Sequence, residues 1–361
     1  MIIDSHAHIF PPMSGASGHS SDAEHMKYIQ HMLMFNGQPV RDTESGEILN
    51  EQSLVTPGGF SFDYLSDVNI YASDHGKFNW FYNSKNYYRQ YLPPTLANLE
   101  ATPELMIAQM DYVGIDKAVL QTGHSYGKLN KYIKKAIDKF PDRFWGLAMI
   151  DEWKSDQYSE IENLEIAIKE DGLNGLWYQS GTLRMHGRDE LVDDEIFFKF
   201  WDRVRKLNIP VFWMLTSVNP NKEVYLNELN AFTNWLKKYD DIQVVFTHGL
   251  SLSTFSNGDK FEIPDEAWKA LDSQNLISEI LFPIAFGQSW DYPFNESYSV
   301  IKEYYQRLGP DRLAWGSDMP NVERYCTYKQ SIDYIRKYCN FLSVQDKNKI
   351  FGDNIYKLFQ K

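Results

Sequence analysis

Cysteine is nearly absent from this chain: Cys326 and Cys339 are the only two among 361 residues. Two thiols offer neither a disulfide framework nor a cysteine-rich zinc pattern, and a reducing cytoplasm is the expected compartment. No apolar run reaches the roughly 18–20 residues of a membrane span. The start of the chain also lacks the basic-then-apolar pattern of a signal peptide. Basic residues are in deficit, with 36 Lys and Arg against 49 Asp and Glu and a formal charge of −13. That balance argues against nucleic acid or an anionic membrane as partner and leaves a small molecule. No Gly-x-Gly-x-x-Gly fingerprint follows any predicted strand, which argues against a doubly wound nucleotide-binding sheet. Internal repeats and low-complexity linkers are missing too.

What is present is a rhythm. After residue 100, short apolar runs alternate with amphipathic stretches. The runs at 117–122, 143–150, 173–178, 210–215, 242–248, 276–282 and 312–317 read as strands buried on both faces, and "MIIDSHAH" at the start makes eight. Between them Leu129, Tyr132, Ile133, Ala136, Ile137 and Phe140 recur at helical spacing. Gly114, Gly172 and Gly309 sit where helices should stop. Eight strands alternating with helices predict an α/β fold of the (β/α)8 barrel type, one domain over residues 1–361.

Residues 9–100 break that rhythm. They hold a predicted helix near 22–34, a hairpin in "PVRDTESGEILN" turning at Ser45-Gly46, and the aromatic-rich "FNWFYNSKNYYRQYL". Too long for an ordinary loop, this insertion is expected to act as a lid or as a contact between two copies in a homodimer.

Residues i and i+2 of a strand share a face, so His6 and His8 should aim their imidazoles together. At the C-terminal mouth of a barrel, where such enzymes keep their active sites, that pair suits a metal. The sixth strand ends in "VVFTHGL" and the eighth in "LAWGSDMP", which places His248 and Asp318 at the same mouth. The competing readings are a core histidine for His248 and a helix N-cap for Asp318. The loop after the fourth strand, "YQSGTLRMHGRDE", offers Arg184, His186 and Arg188. An arginine fork suits a carboxylate, so Arg184 and His186 are candidate substrate contacts. Trp177, Tyr178 and Trp213 suit either ring stacking or core filling. Arg324 faces either the mouth or the following helix.

These pieces, in this order, resemble the amidohydrolase superfamily. The likeness is to its amidohydrolase-related (amidohydrolase 2) branch, which holds metal-dependent non-oxidative decarboxylases and hydrolases of cyclic acids and lactones. It runs through "IIDSHAH", "MDYVGIDKAVLQ", "YIKKAIDKFPDRFWGLAMID", "DEIFFKFWDRVRKLNIPVFWM", "VVFTHGLS", "RLAWGSDMPN" and "KIFGDNIYKLF". Only 9–100 and 179–192 fall outside it. The resemblance implies one divalent metal, zinc being the usual ion, held by His6, His8 and Asp318, with His248 and Asp318 as catalytic residues. Three protein ligands leave an open position for chemistry.

One departure matters: where the family has a strand-five histidine this chain has Met214, a poor zinc ligand. His248 or His124 as a replacement ligand, weak binding, and a metal-free site as in some lactone hydrolases all stay open at this point. His124, Trp177 and Met214 join Arg184 and His186 as candidate substrate contacts. The expected activity is metal-assisted hydrolysis of a small cyclic or amide-like, carboxylated substrate. The alternatives are non-oxidative decarboxylation of an aromatic or muconate-type acid, and a non-catalytic ligand-binding barrel.

Overall fold

The computed structural model describes residues 1–35, 38–49, 53–56, 58–215, 222–257, 260–287 and 289–360. Eight strands follow one another in chain order across one sheet. They are β1 Ile3–Ala7, β2 Lys117–Leu120, β3 Phe144–Ala148, β4 Gly175–Gln179, β5 Val211–Met214, β6 Val244–Phe246, β7 Leu276–Ile280 and β8 Leu313–Trp315. All neighbouring pairs are parallel. A bridge between Ala7 and Met319 returns the end of β8 to β1. There His8 N donates to Met319 O at 2.7 Å and Asp318 N donates to His6 O at 2.8 Å. This is the (β/α)8 barrel that the alternation of runs and helices predicted. The predicted strands overran slightly, because residues such as Met149 and Ile150 are buried beyond the paired part of β3.

The barrel interior is filled by one side chain from each strand: Ile3, Val119, Leu147, Trp177, Phe212, Val245, Ile277 and Ala314. Ile355, from the helix Asn354–Phe359, plugs it from below. The alternate strand residues, Ala118, Leu120, Leu176, Tyr178, Val211 and Trp213 among them, pack outward against the helices. Tyr178 and Trp213 therefore belong to the outer core, where they meet the Trp201 ring at 4.7 and 5.3 Å. Both were candidates for ring stacking, and both are structural instead.

Helix ends fall where glycine allows a left-handed turn: Gly114, Gly172 and Gly309 have φ of 84°, 73° and 73°. Gly316 is needed for a different reason. A Cβ there would lie 2.7 Å from the His6 Cβ, so only glycine lets the end of β8 lie against β1.

Between β1 and β2 the insertion forms the helix Asp22–Phe35 and a five-stranded antiparallel sheet. The predicted hairpin is present as Val40–Asp42 paired with Ile48–Leu49. Its last predicted residue, Asn50, lies outside the described residues. The aromatic-rich stretch is a second hairpin, Lys77–Tyr82 with Lys85–Gln90. It turns at Asn83 and Ser84, both with positive φ, as a two-residue hairpin turn requires. Phe78, Trp80 and Tyr87 are buried while Phe81 and Tyr82 are exposed. Among the described residues no helix is long and apolar enough to cross a membrane.

Candidate active site

His6 and His8 do share a face, but simple alternation does not account for it. Ile3 points into the barrel and Ala7 packs outside it, although four residues apart in one strand they should point the same way. The register of β1 on β2 shifts between Asp4 and Ala7. This bulge turns His6 and His8 inward at the mouth, as bulges beside active sites commonly do. Their Nε2 atoms lie 3.0 Å apart.

The other nitrogen of each ring is already committed. His6 Nδ1–H donates to Glu279 Oε2 at 3.0 Å, and His8 Nδ1–H donates to the Gln121 carbonyl at 3.1 Å. In the neutral rings both Nε2 atoms present lone pairs, which cannot bond to each other, so their contact needs either a proton or a cation between them. Burial works against a proton on His6, while Glu279 and Asp318 raise its imidazole. Asp318 Oδ1 adds a third electron-pair donor, 3.0 Å from His8 Nε2 and 3.9 Å from His6 Nε2. Ligand atoms of the three residues lie within 4.8 Å of one another, the one such group among the described residues. All three are buried. A cation between them removes the repulsion, so this donor set fits a divalent metal.

Glu279 on β7 is the residue that sequence reasoning missed. Its Oε1 accepts from Ser5 Oγ at 2.8 Å and Gln121 Nε2 at 3.0 Å. Its Oε2 accepts from His6 Nδ1 and, at 3.2 Å, from the backbone N of His248. A fully bonded buried carboxylate thus sets the His6 tautomer and ties β1, β2, β6 and β7 together. The signal was legible as one acidic residue inside the apolar run "LISEILF".

Asp318 and His248 both take positive φ, 61° and 65°, a region uncommon for non-glycine residues although Asp and His enter it more readily than most. The Asp318 carboxylate caps no helix; it accepts from Asn321 Nδ2 at 2.8 Å. Burial alone would raise its carboxyl, but His8, His6 and His248 hold it well below the usual carboxylate range. His248 stacks on His6, ring centroids 4.9 Å apart, and its Nε2 lies 4.0 Å from Asp318 Oδ2. Burial, with the neighbouring His6, pushes its imidazole down to about 4, so it is neutral at pH 7. It stands beside the three-residue set, not within it.

A cavity of about 390 Å³ opens over these residues. Trp177 and Met214 reach it from the middle of β4 and the end of β5. Trp177 thus serves both readings, as interior filling and as cavity wall. Met214 occupies the strand-five position without contributing a ligand. The insertion supplies Tyr28, His31, Met32, Phe60 and Tyr91 to the wall.

Three expectations need correction. His124 lines the cavity, but its Nε2 is held by Glu152 Oε2 at 2.7 Å and it stays outside the ligand set. It is not the replacement ligand, and it is buried, 3% exposed. Arg184 does not reach the cavity. The loop after β4 coils into the helix Gly181–Met185, which carries Arg184 to Glu228 at 3.2 Å and onto the Phe60 ring at 3.6 Å. His186 is likewise behind the wall, stacked 3.5 Å from Trp153, with Nε2 3.1 Å from the Tyr28 hydroxyl. Arg188 forms ion pairs with Asp156 and Glu190.

These histidines make the seam between insertion and barrel sensitive to acid. Burial holds His19 and His31 neutral down to about 4 and His186 down to about 3, against 6.5 for a free imidazole. Between those limits the unfolded chain binds protons that the native chain does not. Their contribution to stability is therefore full above about pH 6.5 and is lost as pH falls toward 4. We expect a loss of order 2 kcal/mol for each, read as a falling urea midpoint between pH 7 and 5. His31→Gln keeps a donor for the Phe60 carbonyl, which His31 Nε2 now bonds at 2.7 Å, and should flatten that slope. An unchanged slope would show that His31 does not contribute.

A family model described as Amidohydrolase matches residues 3–361. The chain belongs to the amidohydrolase family. Solved structures agree with the fold. A probable 2-pyrone-4,6-dicarboxylic acid hydrolase from Acinetobacter baumannii, with citric acid bound, aligns at TM-score 0.56 and 18% identity over 99% of this chain and 98% of its own. A putative 2-pyrone-4,6-dicarboxylic acid hydrolase from Pseudomonas putida aligns at 0.55 and 15%, over 73% and 89%. A dihydroxybenzoic acid decarboxylase from Polaromonas sp. JS666, with bound manganese and the inhibitor 2-nitroresorcinol, aligns at 0.54 and 16%, over 72% and 86%. Among curated proteins no sequence matches. At these identities the shared property is the barrel, so chemistry must be argued from this amidohydrolase's own side chains.

Proposed function

We propose that this chain is a metal-dependent hydrolase acting on a small cyclic or amide-like substrate with a hydrolysable carbonyl, zinc being the expected ion. The observation that carries this reading is the trio His6, His8 and Asp318, whose electron pairs converge while the other nitrogen of each imidazole is already bonded. A divalent cation bound there supplies Lewis acidity to the reacting carbonyl and water. The chain's own groups handle the proton. Asp318, ionised at neutral pH, is placed to accept it from the attacking water at a carboxylate oxygen. Neutral His248, with Nε2 4.0 Å from Asp318 Oδ2, is placed to hydrogen-bond the substrate oxygen or to receive the proton in turn. The cavity's size suits one small ligand, since such sites run from roughly 300 to 1,000 Å³.

A second reading, non-oxidative decarboxylation, is favoured by one feature, the aromatic wall of Tyr91 and Tyr126 with ring centroids 6.4 Å apart. A planar acid would lie well against it. The two reactions separate in oxygen-18 water. Hydrolysis of a carboxylated lactone or cyclic amide places the label in the organic product, whereas decarboxylation releases carbon dioxide and leaves the organic product unlabelled. Turnover that survives removal of the metal would contradict both.

A further inference from the structure

With Arg184, His186 and Arg188 turned away from the cavity, the carboxylate expected on the substrate has lost the partner that the sequence suggested. Arg324 replaces it. Among the described residues it is the only lysine or arginine on the cavity wall, as Asp318 is the only acidic side chain there. It ends the short turn Asn321–Arg324 that follows Asp318.

Asn321 ties the two charges together. Its Nδ2 donates to Asp318 Oδ1 at 2.8 Å and to the Tyr126 hydroxyl at 2.7 Å, while its backbone oxygen accepts from Arg324 Nε at 3.1 Å. The guanidinium carbon lies 5.3 Å from the Tyr325 ring centroid and 5.9 Å from that of Tyr91. Unlike Arg184 and Arg188, Arg324 forms no ion pair among the described residues. The adjacent Glu323 bonds Gln109 instead, at 3.1 Å.

The wall between the two ends is aromatic. The His8 ring lies 4.7 Å from Tyr126, Tyr126 lies 6.4 Å from Tyr91, and Tyr91 borders Arg324. A positive fork at the end of a line of rings that starts at a metal ligand describes a planar acid. A half-buried cation without a counter-charge is costly, and a carboxylate offers it two parallel hydrogen bonds.

We infer that Arg324 is the substrate-specificity residue of this site, binding a carboxylate on a planar substrate that lies along Tyr126 and Tyr91 from the metal ligands. This rests on the hydrolase reading only for what happens at the metal end; the anion contact needs no metal.

The test uses benzene-1,3-dicarboxylate and its diamide as probes, titrated calorimetrically into metal-stripped and metal-loaded protein. The wild type should bind the dicarboxylate more tightly than the diamide in both forms. Arg324→Met should weaken the dicarboxylate about ten- to a hundredfold and leave the diamide unchanged. Arg324→Lys, which keeps the charge but loses the fork, should fall between. Equal affinity of the wild type for both probes would overturn the inference, as would equal loss of both in Arg324→Met or an unweakened dicarboxylate. If the Arg324 effect appears but the protein takes up no divalent metal when it is offered, only the hydrolase reading fails. If metal binds but Arg324→Met has no effect, only this assignment fails.

Discussion

Asparagine in place of Asp318 is expected to lower turnover about a thousandfold or more while leaving the fold intact. The substitution keeps a carbonyl oxygen where Asn321 Nδ2 now donates at 2.8 Å, so the turn that carries Arg324 should survive. It removes the negative charge from a three-ligand set and the proton acceptor from the reaction at one stroke. Metal affinity should fall together with turnover, because two neutral imidazoles alone bind a divalent ion weakly. The measurement is kcat alongside metal content for wild type and Asp318→Asn, with unfolding curves as control. Unimpaired turnover in the variant would rule out this mechanism.

Replacing Glu279 with glutamine should have the next largest effect, although this residue touches neither substrate nor cavity. Its carboxylate accepts from four donors: the Ser5 hydroxyl, His6 Nδ1, Gln121 Nε2 and the His248 backbone N. A carboxamide accepts at one oxygen and points two N–H groups at donors on the other side. Some of these bonds must break, or His6 must change tautomer and turn its protonated nitrogen toward the metal. Metal affinity should drop about ten- to a hundredfold, the usual effect of removing a carboxylate that orients a metal-bound histidine. Stability should drop by about 1–3 kcal/mol, the cost of leaving a buried polar group unsatisfied. Chelator competition and urea unfolding read the two effects separately. Unchanged metal affinity would mean that Glu279 does not set the His6 tautomer.

The barrel was legible in the sequence because buried parallel strands are continuous apolar runs, and helical spacing between them has no other economical explanation. The ligand trio was legible because each member stands at a strand end, and a barrel brings strand ends together whatever their distance in sequence. The reason given for His6 and His8 was incomplete. Alternation predicted a shared face, but a bulge between Asp4 and Ala7 decides which face, and bulges leave little trace in a single sequence.

The second layer was harder to read. Arg184 looked like a substrate contact because it follows a barrel strand; its true partner, Glu228, lies 44 positions on, in the helix Lys222–Lys238. Arg324 had the same kind of signal and reaches the cavity. Both border rings of the insertion, Phe60 and Tyr91; what separates them is the ion pair that Glu228 forms with Arg184. His124 illustrates the same limit, since Glu152, 28 positions later, occupies its Nε2.

The most direct test of the account is the metal content of protein purified without chelators, measured together with His8→Ala. The account predicts about one divalent ion per chain in the wild type and loss of that ion in the variant, with a cooperative unfolding transition retained at a lower midpoint. A wild-type chain that turns over substrate without metal, or a His8→Ala chain that keeps its ion, would contradict it.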